Sequence, residues 1–254
     1  MVPGPMPSRL ASRLAGLALC LGTTPLGAQP EASPACSPAT VLEVIPPPVA
    51  RASADAPPPV PSTPTSPPTS PPAESDYRQQ LTATAYGWPR RDHWCIWVEP
   101  VSSDGPAARW DQAWLEAVEA ALASWGELVP IQRVNQPERA QVRILRRRPP
   151  LRGGRASHGR AELQLVVAQR DGQRQLEPQV ALQISPGQRP SAMQATALHE
   201  LGHALGLWGH SETPGDAMAA VPGAMPVLEL SARDRATFLW LQQQPGLELT
   251  PSRP

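Results

Sequence analysis

From Trp110 to Trp125 the apolar positions Trp110, Trp114, Ala117, Val118, Ala121, Leu122 and Trp125 recur at the spacing of one helix face. The pattern predicts an amphipathic helix ending near Gly126, with Asp111 at its positive end and the tryptophan stripe turned into a core. His93 to Val98 mixes β-branched and aromatic residues and predicts a strand, as does Gln141 to Leu145. Ala161–Gln169 and Gln173–Ile184 flank Asp171-Gly172, a strong signal for a tight hairpin. Pro190 and Ser191 then open a second helix running to about Gly206, with Leu198, Leu201 and Leu205 as its inward stripe. Strands, a long helix, more strands and a second helix make the expected class α+β.

Composition divides the chain. From Pro30 to Ser75 there are 15 prolines in 46 residues and no aromatic side chain. Such a stretch favours extended, unpacked chain, so 29–75 is expected to be a disordered Pro-rich linker, or alternatively a latency propeptide. Ahead of it, Arg9 and Arg13 precede an apolar run from Leu14 to Leu26, followed by Gly27 and Ala28. The run is shorter than the ~20 residues of a membrane span, so 1–28 is read as a signal peptide with small residues at the cut; an uncleaved anchor is the alternative. Residues 76–254 remain as one folded domain. The expected location is secreted, or periplasmic and cell-envelope. The basic residues are all arginine and Asn135 is the only asparagine, as expected of a GC-rich bacterial genome.

Charge narrows the function classes. With 22 basic and 22 acidic residues, the chain has no net field to attract nucleic acid or an anionic membrane. The local cluster Arg143, Arg146, Arg147, Arg148, Arg152 and Arg155 reads as a solvated loop, with an anionic partner such as an acidic wall polymer or substrate as the alternative; without interleaved aromatics it does not suit nucleic acid. Cys36 and Cys95 would remain after signal removal and can pair in an oxidising compartment, though spacing alone does not decide it.

The chemistry is concentrated between His199 and Met218, HELGHALGLWGHSETPGDAM. His199 and His203 lie one helical turn apart on one face, where two imidazoles can reach one zinc ion at ~2.0–2.1 Å. Glu200 stands beside them as a base outside the coordination sphere. A shuffled chain of this composition carries HExxH by chance roughly once in two hundred trials, so the continuation matters. Gly206 can reverse the chain at the helix end, which allows His210 to return as third ligand.

These residues resemble the metzincin zinc endopeptidases, in particular the matrixin-like branch, whose pattern is HExxHxxGxxH followed by a methionine in a tight turn. His199 to Leu207 matches, His210-Ser211 is similar to the His-Ser that follows, and Met218 stands where the turn methionine is placed. Leu230-Ser231 and Asp234, opening an apolar helix through Phe238, Leu239 and Leu241, are similar to that family's C-terminal helix. The resemblance implies Zn2+ held by His199, His203 and His210, Glu200 as general base and acid through a zinc-activated water, and Met218 as the structural turn residue. It also implies a mostly parallel twisted sheet with a long helix in the first half and an active-site helix. The implied partner is a protein or peptide substrate, paired with an edge strand from the Ala161–Ile184 hairpin; a monomer is expected.

The match has departures. Trp208-Gly209 lengthens the spacer by one residue, so Gly209 occupies the usual third-ligand position and the role passes to His210. Glu212 and Asp216 are alternative oxygen ligands, Glu229 is a distant one, and Met225 is a second candidate for the turn. Ala219-Ala220 replaces the usual Tyr-Pro. Two other functions stay open: a non-catalytic zinc-binding or wall-associated module, and a zinc amidase acting on wall peptides.

Overall fold

The structure, a computed structural model, describes residues 1, 4, 36–46, 75–151 and 156–250. Contacts divide the chain into Met1–Glu31 and Ala32–Pro254, and the elements below belong to the second unit. The expected signal peptide, apart from residues 1 and 4, and most of the Pro-rich segment lie outside the described residues, as do Arg152 and Arg155.

Among the described residues six strands form one sheet: β1 Thr40–Ile45, β2 Trp94–Val98, β3 Ile131–Arg133, β4 Val142–Leu145, β5 Gly159–Arg170 and β6 Gln173–Ile184. Their order is β1-β5-β6-β4-β2-β3, with the β6–β4, β4–β2 and β2–β3 pairs parallel and the β1–β5 and β5–β6 pairs antiparallel. Three α-helices join them: α1 Ala108–Gly126, α2 Pro190–Ala204 and α3 Ala232–Gln242. The fold is mixed α+β with a mostly parallel sheet. Asp171 and Gly172 both take positive φ, 50° and 79°, the backbone that joins β5 to β6 without splaying them.

The apolar face of α1 does what its spacing predicts. Trp114, Ala117, Val118, Ala121, Leu122 and Trp125 are buried against α2 and the sheet. The indoles also pin their neighbours, since Trp114 Nε1 donates to the Ile184 carbonyl at 3.2 Å and Trp125 Nε1 to that of Leu198 at 2.9 Å. Trp110 departs from the expected stripe: it is exposed, with the Arg109 guanidinium over its ring. Within the arginine cluster, Arg146 forms an ion pair with the buried Asp111 at 3.0 Å. Asp111 thus ties the start of α1 to the chain after β4.

Two strands were not expected. β3 is three residues long, too short for alternation to register. β1 lies inside the segment assigned to the linker, so 36–46 corrects that assignment. Cys36 and Cys95 form a disulfide with Cα atoms 5.7 Å apart, and β1 pairs in sequence with Ile45 opposite Leu165 and Thr40 opposite Gln169. Proline-rich composition concealed a short run, Thr40–Ile45, that has β-branched residues and no proline. Consequently the outer strands among the described residues are β1 and β3, and the expected edge on the hairpin survives only where β1 stops short.

The far end of the hairpin buries a charge pair. Arg170 donates through Nε and Nη2 to the two carboxylate oxygens of Glu177 at 3.0 and 3.1 Å, and both residues are buried. Burial pushes the Glu177 carboxyl up, but the Arg170 hydrogen bonds and the Arg91 charge outweigh it and hold it below its ordinary value of 4.5. A depressed folded value means that the pair stabilises fully above the ordinary carboxylate range and loses this contribution as pH falls through the folded value. Glu177→Gln is expected to cost about 2 kcal/mol near neutral pH. The difference from the parent should shrink as pH falls below the ordinary carboxylate range in urea melts at stepped pH; a difference independent of pH would contradict it.

Candidate metal centre

Helix α2 presents the two histidines and ends on cue. Pro190 occupies its first turn, where the missing N–H costs nothing. Leu198, Leu201 and Leu205 are completely buried, which fixes the rotation of the helix and turns His199 and His203 to the opposite side. Gly206, at φ 115°, reverses the chain. Its N–H donates to the His203 carbonyl at 3.0 Å, and the Leu207 N–H to that of Gly202 at 2.9 Å, the paired bonds of a glycine-terminated helix.

The longer spacer is accommodated by close packing. The Trp208 indole stacks on the His203 ring with centroids 5.4 Å apart, and the Trp208 carbonyl accepts from the Thr82 N–H at 2.9 Å. A Cβ on Gly209 would stand 2.1 Å from the Gln80 carbonyl oxygen. Gly209 is therefore required by the neighbouring chain as well as by the extra residue. Beyond it His210 returns to the cluster.

One ligand atom from each of His199, His203 and His210 lies within 4.8 Å of the others. The His203 and His210 Nε2 atoms are 3.2 Å apart. Two nitrogens bound tetrahedrally to one zinc at ~2.0–2.1 Å stand about 3.3 Å from each other, so the donor set fits that ion. Their outer nitrogens are committed elsewhere: His199 Nδ1 lies 2.8 Å from the Ala217 carbonyl and His203 Nδ1 2.7 Å from that of Leu207. With Nδ1–H donating to a carbonyl, each imidazole keeps a bare Nε2 for the cluster. Burial, reinforced by the neighbouring His199, pushes His203 down to about 3; burial also lowers His199 and His210. All three are thus neutral imidazoles at physiological pH, the form that ligates. His210 is exposed, which leaves the cluster open on that side.

Glu200 stands outside this ligand cluster. It is wedged against the start of β5, where a Cβ on Gly159 would fall 2.7 Å from its Oε1. Burial pushes its carboxyl up to about 7, against a hydrogen bond from the Ala161 backbone and the Arg160 charge.

Below the histidines the chain from Ser211 to Ala220 folds into a tight turn. The Ser211 N–H donates to the Met218 carbonyl at 2.8 Å and the Ala220 N–H to the Ser211 carbonyl at 2.9 Å. Met218 is completely buried, and its sulfur would be 2.2 Å from a Cβ on Gly202, so only glycine fits between the two histidines on that side. Met225, the other methionine considered, is exposed. Glu212 and Asp216 both pair with Arg233, at 2.6 and 3.1 Å, and neither joins the histidine cluster; nor does the exposed Glu229.

Two carboxylates hold this turn, and the sequence did not disclose their roles. Asp216 accepts from Ser211 Oγ at 2.5 Å and Ser231 Oγ at 2.7 Å. Asp234 is fully buried and accepts from the Ala217 N–H at 2.8 Å, the Ser231 N–H at 3.0 Å, the Tyr77 hydroxyl at 2.8 Å and the Met218 N–H at 3.3 Å. Ser231 and Asp234 also form a reciprocal cap at the start of α3. The Ser-x-x-Asp spacing could have signalled that cap, but the second task of Asp234 depends on a loop brought to it by the fold.

No protein-family model matches the chain, and no curated protein matches it with significance.

Proposed function

We propose that this protein is a metzincin-like zinc endopeptidase of the matrixin-like branch that hydrolyses peptide bonds, with His199, His203 and His210 holding the ion and Glu200 as general base. The observation that carries the reading is the convergence of three neutral imidazoles, two of them oriented by backbone carbonyls, beside a carboxylate that is not itself a ligand. A resident zinc ion would supply Lewis acidity to the scissile carbonyl and to the hydrolytic water. Glu200 takes a proton from that water as its oxygen joins the carbonyl carbon, and returns it to the amine as the C–N bond breaks. Along the edge of β5 beside Glu200 the Ala161 backbone already bonds the carboxylate, and Leu163, two residues on, offers hydrogen bonds to an extended peptide. Export to an oxidising compartment, the cell envelope or outside, agrees with the Cys36–Cys95 disulfide.

The test is zinc content and peptide-library cleavage by the full chain, with chelation and zinc restoration as controls. One zinc per chain with chelator-sensitive cleavage is expected. Zinc without cleavage of any peptide would leave an assembled but idle module, and cleavage confined to wall peptides would favour an amidase. His210→Ala should weaken zinc binding by more than about 100-fold in competition with a chromophoric chelator. Unchanged affinity would remove His210 from the ligand set and return Glu212 or Asp216 to consideration.

A further inference from the structure

We infer that β1 is a built-in stop on the peptide-docking edge, so that the site takes peptides carrying few residues on the N-terminal side of the scissile bond. The inference rests on the hydrolase reading above and adds a substrate class to it.

The geometry follows from alternation along β5. The Ser185 N–H donates to the His158 carbonyl at 2.8 Å, so His158 faces β6 and, at period two, Ala161, Leu163 and Leu165 turn their backbone groups the other way. Ala161 does so, since its backbone reaches the Glu200 carboxylate. Leu165 is already paired, with Ile45 of β1. Between them no described strand lies along that side of β5. The next residues after Ile45 are Pro46, Pro47 and Pro48, which have no N–H to continue the ladder towards Glu200. The stop is therefore placed by sequence.

A peptide added to this edge antiparallel to β5, as β1 and β6 both are, runs from Leu165 towards Ala161. Residues opposite Ala161 and Leu163 are two apart, and the next outward position belongs to Ile45. The docked chain thus has room for about three or four residues before it meets β1. Its end falls at a cavity of about 580 Å³, whose lining includes Ile45, Pro46, Tyr86, Leu163 and Leu165. None of the six β1 residues is buried and only Ile45 packs on the Leu165–Val167–Leu176 cluster, so the strand is retained mainly by its ladder and by the Cys36–Cys95 tether.

The experiment uses zinc-loaded full-length Glu200→Gln and fluorescent peptides sharing one core, extended on the N-terminal side by about two or about eight residues. Anisotropy should give at least 10-fold tighter binding of the short-armed peptide, while extension on the C-terminal side changes nothing. Adding Cys36→Ser, Cys95→Ser and Ile45→Pro, which remove the tether and the N–H that faces Leu165, should bring the two affinities within about 3-fold. Equal affinities at the outset, a penalty on the C-terminal arm, a penalty that survives in the zinc-retaining variant, or no binding of either peptide would each overturn the inference. If the combined variant loses zinc, the parent decides alone: KM values rising at least 10-fold with the N-terminal arm support the inference, and equal ones overturn it. The expected binding without any hydrolysis by the parent sinks the hydrolase reading but leaves the docking edge. Hydrolysis indifferent to arm length does the reverse.

Discussion

Zinc-loaded Glu200→Gln is expected to keep its metal and its fold while peptide hydrolysis falls by about 10²- to 10⁴-fold. The substitution preserves size and removes only the capacity to take and return a proton. Retention of zinc follows because Glu200 lies outside the cluster formed by His199, His203 and His210. Retention of fold follows because glutamine fills the same space between α2 and the Gly159 end of β5. The loss should appear in kcat with little change in KM, since the carboxylate acts on the reacting water rather than on the bound chain. Zinc content, melting temperature and cleavage rate measured on one preparation check all three statements. Loss of zinc together with activity would make Glu200 a ligand, and an unchanged rate would remove it from the chemistry.

The parts of the site that were legible in sequence are those governed by local periodicity. His199, Glu200 and His203 share one helix, and Leu198, Leu201 and Leu205 determine which way it faces; spacing alone carries that information. The return of His210 was legible more weakly, because Gly206 marks a reversal without specifying where the chain goes next. What directs it is the Gln80–Leu81 segment packed over Gly209, a contact between residues more than a hundred positions apart. The same limit hid β1. Thr40–Ile45 becomes a strand because Leu165–Gln169 offers it an edge and Cys95 a covalent anchor, and neither is visible inside a proline-rich stretch. Asp216 was considered as an oxygen ligand from proximity in sequence. Arg233, arriving on α3, commits it instead to an ion pair.

Asp234→Ala should be the most destabilising single change near the site, costing about 3–5 kcal/mol, and it should weaken zinc binding by about 10- to 100-fold without touching a ligand. The stability loss arises because the carboxylate satisfies several buried donors at once. Removing it strands the Tyr77 hydroxyl and the N–H groups of Ala217 and Ser231, and deletes one half of the α3 cap. Each donor left without a partner costs about 1–3 kcal/mol when it stays buried, with partial relaxation reducing the sum. The metal effect travels through a single residue. Asp234 holds the Ala217 N–H, and the carbonyl of Ala217 faces His199 Nδ1 and selects the tautomer whose Nε2 is bare. A loosened Ala217 lets the His199 ring turn, which charges zinc binding with the cost of reorienting a ligand. Asp234→Asn separates the two effects, since its amide oxygen can still accept from Ala217 while its NH₂ opposes one of the other donors. It should retain most zinc affinity yet lose stability. Chelator competition and urea melts on both variants test the route: a zinc affinity for Asp234→Ala equal to the parent's would show that the Met218 turn holds His199 without help from α3.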